Sequence, residues 1–288
     1  MEAEVLTTER TVRLLEITRE ELFEGRDLIG EMYNDDLDVV LIRGAFDRDA
    51  LQAVGTVVSS EGFSSEWRHP NPPEMMGEDI KVLGVPLTPS GSRPAGPDED
   101  DYFISNPPLR SNIDDLFGSS FDANASFKEV LSQLAAGKPS LTPRDPIGKP
   151  FAPYTMRQLS DGEGIAVHHD YHFGLRIYNW LCQLADTSLA LSYFTPVSTS
   201  KEGGALVVYA LTLANPNKPM LENGRWDAEK IREQFDYVTL HPEVGDLVVF
   251  ASGRCLHQVT QIVGETPRTT LGGFLALDGA HERVLFWS

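Results

Sequence analysis

After Pro150 the sequence becomes a series of short apolar runs separated by turn-forming residues, and this pattern constrains the fold more than any other feature. The runs cover residues 154–159, 189–196, 205–211, 246–251, 269–277 and 284–287. Asp161-Gly162, Gly245-Asp246 and Gly253 are typical turns between them. Many short strands at this density are typical of a β-sandwich or a jelly-roll barrel. Glu202-Gly203-Gly204, between two of the runs, predicts a hairpin.

Capping signals predict helices in the first half of the chain. Thr18 and Glu21 have the spacing of a capping box at the start of an amphipathic stretch. Ser126 and Glu129 repeat that spacing, and they predict a second helix that Gly137 would end.

Residues 67–108 predict a long irregular segment, because prolines interrupt every element that could form there. The prolines are residues 70, 72, 73, 86, 89, 94, 97, 107 and 108. Long irregular segments inside a domain are usually functional lids or linkers. We interpret this one as a lid, since apolar Val82, Leu83, Val85 and Leu87 would cover a binding site. A solvated loop is the alternative.

The charge and cysteine content restrict the partners. The 24 basic and 43 acidic side chains give a net charge of −19, which disfavours binding to nucleic acid or to anionic lipid. Cys182 and Cys255 form no paired motif, and a reduced, cytoplasmic setting is the simpler interpretation. We find neither a signal peptide nor a run of about 18 apolar residues that would span a membrane.

Two histidines and one carboxylate form a candidate metal site. His168 and Asp170 lie in a turn after the apolar run 165–167, and His257 follows the strand-like run 246–251. Residues i and i+2 of an extended chain point the same way, so His168 and Asp170 can bind one ion while His169 points away. Two imidazoles and one carboxylate on one face of an octahedral ion leave three positions open, as in non-haem iron(II) oxygenases.

Arg268 supplies the anchor that a 2-oxo acid co-substrate needs. It lies 11 residues after His257, at the start of an apolar run. A guanidinium makes paired hydrogen bonds to a carboxylate, so Arg268 can hold the distal carboxylate of 2-oxoglutarate while the other end of the molecule binds iron. Dioxygen would take the remaining metal position. The order His-x-Asp, His, Arg is more specific than any one of these residues.

Other interpretations of the same residues stay open. His169 and His172 are rival ligands that would fit a zinc site, although no cysteine or second histidine-rich segment completes a tetrahedron. A cupin-type isomerase or lyase would use the metal residues but would not need Arg268. A small-molecule binding protein would use the histidines structurally and bind no iron.

Four segments resemble the carrier-independent alkaloid halogenases of the welwitindolinone and ambiguine pathways. They are VLIRGAF (40–46), LSYFTPVSTSKEGGALVVYAL (191–211), RTTLGGFLAL (268–277) and VLFWS (284–288). The resemblance implies a double-stranded β-helix, iron(II) and 2-oxoglutarate, and a free small-molecule substrate without a carrier protein. We therefore expect a mixed α+β fold with a jelly-roll, cupin-like core. It would be one oxygenase domain over 1–288, with a helix-rich part over 1–150 packed on a β-helix core over 151–288.

The sequence departs from these halogenases at Asp170, where they have glycine. In that family, loss of the carboxylate opens the metal position that chloride takes. Asp170 therefore implies a hydroxylase, similar to the free-standing hydroxylases of N-acylated amino acids. Desaturation and epimerisation by the same core are alternatives, and halogenation is disfavoured.

The resemblance also implies roles for further residues. His168, His257 and Arg268 match the metal and co-substrate motifs of the halogenases, and Ser192 matches a serine close to their iron, for which we predict a catalytic role. Arg157 and Asn179 fall at matching places and are predicted to contact 2-oxoglutarate, with sheet packing or a surface ion pair as the alternative. The predicted substrate contacts are Val82, Leu83, Val85 and Phe173.

Overall fold

The short apolar runs in the second half of the chain form strands, as the sequence predicts. The computed structural model describes residues 10–67, 80–87, 99–174 and 179–288. Its strands are β1 (Leu14–Thr18), β2 (Val39–Arg43), β3 (Lys81–Leu83), β4 (Ser140–Leu141), β5 (Thr155–Leu159), β6 (Ile165–His168), β7 (Leu191–Ser198), β8 (Leu206–Thr212), β9 (Tyr237–Leu240), β10 (Leu247–Phe250), β11 (Cys255–Val259), β12 (Arg268–Leu277) and β13 (Val284–Trp287).

The strands form two sheets. The larger sheet has the order β1-β2-β10-β7-β12-β13-β4, with β5 paired to the side of β12 and β3 paired to β5. The smaller sheet has the order β6-β11-β8-β9. From β5 to β12 the chain passes repeatedly between them, because β5, β7, β10 and β12 belong to the larger sheet and the other four to the smaller. This alternation is the topology of a double-stranded β-helix, so the predicted mixed α+β fold with a jelly-roll core is confirmed.

Helices from the first half of the chain pack on the larger sheet. In chain order the helices are α1 (Leu28–Tyr33), α2 (Arg48–Val58), α3 (Glu99–Phe117), α4 (Ala123–Leu134), α5 (Leu181–Leu184) and α6 (Ala228–Gln234), with 3-10 turns at Glu21–Glu24 and Glu61–Glu66. The backbone of α2 approaches β7 so closely that a Cβ atom at Gly55 would lie 2.0 Å from the carbonyl oxygen of Val197. In the described part of the chain, no helix has both the length and the apolar character needed to cross a membrane.

One of the two predicted capping boxes forms, and the other does not. Thr18 and Glu21 do form one: the Thr18 amide donates to the Glu21 carboxylate at 2.7 Å, and the Glu21 amide to the Thr18 hydroxyl at 3.4 Å. The box at Ser126 is wrong, because α4 begins three residues earlier, where the Asp122 carboxylate accepts from the Ala125 amide. Both residues are good caps, and the earlier one allows Ala123 and its neighbours to be buried.

The predicted hairpin at Glu202-Gly203-Gly204 is also wrong. The strands on either side, β7 and β8, belong to different sheets, so this segment connects the sheets. Gly203 has φ of +70°, and a Cβ atom there would lie 1.8 Å from the carbonyl oxygen of Gln261. The glycines therefore allow a close backbone crossing, a role that a local turn pattern does not distinguish from a hairpin.

The predicted irregular segment 67–108 contains regular structure where it is described. β3 pairs with β5, and α3 continues through Pro107 and Pro108. Tertiary contacts outweigh the proline penalty: Tyr102 is fully buried and donates to the carbonyl of Ser288 at 2.7 Å, and the Asn106 amide bonds both backbone groups of Val85. Residues 68–79 and 88–98 lie outside the described residues, and the role of 67–108 as a lid stays a prediction.

One buried carboxylate joins the N-terminal segment to the connection between β10 and β11. Asp38 has no solvent exposure and accepts hydrogen bonds from the side chains of Arg10, Arg13 and Arg254. Its backbone carbonyl also accepts from the Ala251 amide at 2.9 Å. Burial alone would raise the pKa of Asp38, but the hydrogen bonds from Arg13 and the charge of Arg10 lower it below its usual value.

We expect Asp38→Asn to lower the free energy of unfolding by about 3–5 kcal/mol, because breaking a buried ion pair leaves charges uncompensated. Asp35→Asn is the matched control: Asp35 contacts Arg10 and Arg13 but is half exposed, so its loss should be below about 1 kcal/mol. Denaturant unfolding measures both. A carboxylate whose pKa is lowered by folding stabilises the protein at a pH above its ordinary pKa. This stabilisation is lost as the pH falls toward the pKa of the folded state. The difference between wild type and Asp38→Asn should therefore shrink as the pH falls below about 4; equal losses at Asp35 and Asp38 would contradict the assignment.

Candidate metal centre

The pairing of β6 with β11 places two histidines opposite each other. His168 is the last residue of β6, and it is in register with His257 in the middle of β11. Directly opposed side chains lie on the same face of a sheet, and the two imidazole centroids are 4.1 Å apart. His257 is buried, with 3% of its surface exposed. Residues 89 positions apart in the chain thus present one pair of nitrogen donors.

Asp170 completes the group from the turn that follows β6. Its amide donates to the carbonyl of Ser252 at 2.9 Å, which fixes this turn against the connection between β10 and β11. Its carboxylate oxygens lie 3.4 Å from Nε2 of His257 and 3.7 Å from Nε2 of His168. One donor atom from each of these three residues lies within 4.8 Å of the others, a spacing that allows one ion to contact all three.

Backbone carbonyls orient both imidazoles. Nδ1 of His168 lies 2.8 Å from the carbonyl oxygen of Ala166, and Nδ1 of His257 lies 3.2 Å from that of Cys255. A carbonyl oxygen can only accept, so Nδ1 carries the proton in each ring and Nε2 keeps its lone pair. Burial and the neighbouring His257 lower the pKa of His168 to about 4. The His168 ring is therefore neutral and suited to metal binding at neutral pH.

The carboxylate of Asp170 is charged. Burial would raise its pKa, but the nearby His257 and His172 side chains lower the pKa well below the usual value. Nε2 of His172 lies 3.7 Å from Oδ1 of Asp170, while the group with metal-ligand spacing among the described residues consists of His168, Asp170 and His257. The donor set of two imidazoles and a carboxylate fits iron(II).

A pair of serines adjoins Asp170. Ser192, on β7, donates its hydroxyl proton to Oδ2 of Asp170 at 2.8 Å. The hydroxyl of Ser252 lies 2.7 Å from that of Ser192, and both side chains are buried. The sequence predicted a catalytic role for Ser192, which stays a prediction. It did not identify Ser252, because a serine five residues before His257 carries no signal of its own.

Arg268 is a buried cation at the first position of β12. It is 8% exposed, and in the described part of the chain no carboxylate forms an ion pair with it. Its guanidinium lies over the ring of Phe194, 5.1 Å from the centroid. Burial and then the charge of Arg157 lower the pKa of Arg268 to about 10. A buried guanidinium without a carboxylate partner favours an anionic ligand.

One cavity of about 670 Å³, including its open mouth, contains these groups. Its polar lining includes His168, Asp170, His257, Ser192, Arg157 and Arg268, and its apolar lining includes Ile80, Leu159, Ile165, Phe194, Leu206 and Phe274. The structure therefore brings the metal group, Arg268 and Arg157 together at one site. The sequence did not identify the apolar lining side chains, because their apolar character is what any buried strand shows.

Five predicted residues do not line this cavity. Asn179 is exposed. Val82 and Leu83 are buried on β3, and Leu83 belongs to the main core. Val85 and Phe173 belong to a second apolar cluster, in which the Phe173 ring lies 6.1 Å from that of Trp287. Their roles in binding co-substrate or substrate stay predictions.

The chain is similar to several solved structures. It has 17% identity and a TM-score of 0.48 to an N-substituted L-amino acid dioxygenase from Burkholderia ambifaria, over 89% of each chain. It has 15% identity and a TM-score of 0.46 to a 2OG-Fe(II) oxygenase family oxidoreductase from Burkholderia pseudomallei, over 90% of this chain and 94% of that one. It has 11% identity and a TM-score of 0.47 to the epimerase SnoN of nogalamycin biosynthesis, over 87% of this chain and 82% of that one.

The family comparison covers nearly the whole chain. A search of curated protein sequences gives no match. The sequence model of one family, described as carrier-protein-independent halogenase WelO5, matches residues 11–288. This match confirms the resemblance found in the four sequence segments, and with the His168, Asp170 and His257 group it confirms iron(II) and 2-oxoglutarate as the cofactor and co-substrate. The chain belongs to the WelO5 family of carrier-protein-independent, iron(II)- and 2-oxoglutarate-dependent enzymes.

Proposed function

We propose that this protein hydroxylates an unactivated C–H bond of a free small molecule. His168, Asp170 and His257 would hold iron(II). The presence of Asp170 in the metal group carries the proposal, because a carboxylate occupies the position that a halide needs in the halogenases of this family. The close packing of its oxygens against both Nε2 atoms supports this assignment.

Arg268 would bind the distal carboxylate of 2-oxoglutarate. The supporting observation is its burial without a carboxylate partner among the described residues, in the cavity that also contains the metal group. Arg157 lines the same cavity and adds positive charge there, which supports its predicted contact with the co-substrate. Asn179 has less support, since its side chain is exposed.

The chemistry that bound iron(II), 2-oxoglutarate and dioxygen supply is insertion of one oxygen atom into the C–H bond, with 2-oxoglutarate converted to succinate and CO2. The protein binds and orients the reactants. The apolar side chains Ile80, Phe194 and Phe274 line the cavity beside the metal group, where they would hold an apolar part of the substrate and exclude water.

The substrate is proposed to be free in solution, as the carrier-protein-independent description of the family indicates. The net charge of −19 disfavours nucleic acid and anionic membranes as partners. The proposed location of the protein is the cytoplasm. The substrate site would also be shaped indirectly by four residues outside the cavity lining, which are Val82, Leu83, Val85 and Phe173.

Desaturation and epimerisation need the same residues, and the mass of the product distinguishes them from hydroxylation.

We expect Arg268→Ala to weaken 2-oxoglutarate binding by at least about 10- to 100-fold, because the loss of even one charge-assisted hydrogen bond costs about 1.5–3 kcal/mol. The measurement is titration of the iron(II) protein with 2-oxoglutarate without oxygen, followed by the charge-transfer absorption in the visible range. Arg144→Ala, at an exposed position outside the cavity lining, is the control and should titrate like wild type. No absorption in the wild type, with no iron retained, would contradict the oxygenase assignment.

We expect chloride and bromide to leave that absorption unchanged in the wild-type complex, since Asp170 keeps its metal position. The control is sodium sulfate at the same ionic strength. A shift that saturates with halide would show halide binding to the metal and would favour halogenation.

Under air, a product heavier than the substrate by one oxygen atom, formed with one succinate, supports hydroxylation. A product that has lost two hydrogens would indicate desaturation.

A further inference from the structure

We propose that Ser252 is a positioning residue for the metal centre, acting through Ser192 on the carboxylate of Asp170. This inference rests on the proposed metal site and goes beyond it, since Ser252 contacts none of the reacting groups. The observation that carries it is a continuous line of three buried or nearly buried polar side chains, joined by contacts of 2.7 and 2.8 Å.

The Ser192 hydroxyl is the donor in both contacts: it donates to Oδ2 of Asp170 and to the hydroxyl oxygen of Ser252. A hydroxyl has one proton, so the Asp170 carboxylate and the Ser252 oxygen share it in a bifurcated hydrogen bond. Ser252 thereby fixes the direction in which the Ser192 hydroxyl points, and the line of contacts runs from Ser252 through Ser192 to Asp170.

The backbone holds Ser252 in a fixed place. Its side chain has no solvent exposure, and its amide donates to the carbonyl of Phe250 at 2.8 Å. The preceding residue, Ala251, donates to the carbonyl of Asp38. The carbonyl of Ser252 itself accepts from the amide of Asp170 at 2.9 Å. Ser252 thus holds Asp170 twice, once through the backbone and once through the hydroxyl chain.

The hydroxyl chain orients the carboxylate. Because Oδ2 accepts from Ser192, one oxygen is occupied by a hydrogen bond and the carboxylate is disposed to bind a metal through the other. The proposed chemistry needs three open metal positions, two for 2-oxoglutarate and one for dioxygen. A carboxylate bound through both oxygens would take one of these positions. The serines thereby favour an arrangement that leaves room for the co-substrates.

The test compares iron(II) affinity in Ser252→Ala, Ser192→Ala and the double variant, measured without oxygen by competition with a chelating dye. Loss of a group that orients a metal ligand costs about 10–100-fold in affinity, so we expect about 10-fold weaker binding for Ser252→Ala. The double variant should bind as weakly as Ser192→Ala alone, because Ser252 acts through Ser192. Ser198→Ala, at the far end of β7 with its own hydrogen bond to the Pro267 carbonyl, should bind like wild type.

A purely structural role is separated by repeating Ser252→Ala in an Asp170→Ala background. Without the carboxylate, removal of the Ser252 hydroxyl should leave the remaining metal affinity unchanged. The melting temperature of each metal-free variant checks folding, and Ser252→Cys, which keeps the volume but is a weak acceptor, replaces Ser252→Ala if that variant folds poorly. Wild-type affinity in Ser252→Ala, or additive losses in the double variant, would overturn the proposal. Failure of the wild type to bind iron would instead overturn the proposed function.

Discussion

The metal centre depends on the register between β6 and β11. His168 and His257 face each other because these two strands pair antiparallel with those residues opposite. A shift of one residue would turn either side chain to the other face of the sheet. β11 has register irregularities on both sides of His257, toward β6 after it and toward β8 before it. Such irregularities commonly aim a side chain at an active site, and here they accompany the one residue of β11 that belongs to the metal group.

The first half of the chain stabilises this site although it supplies none of its metal ligands. Asp38 accepts from three arginines and, through its carbonyl, from Ala251. Ser252 follows directly and holds the backbone of Asp170. Arg254, two residues on, donates both to Asp38 and to the carbonyl of Met32. The connection between β10 and β11 is therefore fixed from the N-terminal side and from the metal side at once.

The sequence predicted those features that local patterns encode. Alternating short runs and turns predicted the jelly-roll core, and the order His168, Asp170, His257, Arg268 predicted which donors lie together. It failed where long-range packing decides. Gly203 has the local pattern of a hairpin, yet it serves a crossing between sheets. Prolines predicted an irregular segment, yet buried Tyr102 holds α3 in place. Ser252 could not be identified, because its importance arises from a contact with Ser192 across 60 positions of the chain.

Membership of a halogenase family does not by itself determine the reaction here, because the outcome depends on what occupies one metal position. In this protein a charged carboxylate stands there, and its neighbours are matched to it: Ser192 donates to it, and His172 lies beside its other oxygen. Replacing Asp170 by glycine would leave these groups facing an empty space, and the Ser192 hydroxyl would lose its charged acceptor. The surroundings of Asp170 thus match a carboxylate at this position, which supports the proposal that no halide takes its place on the metal.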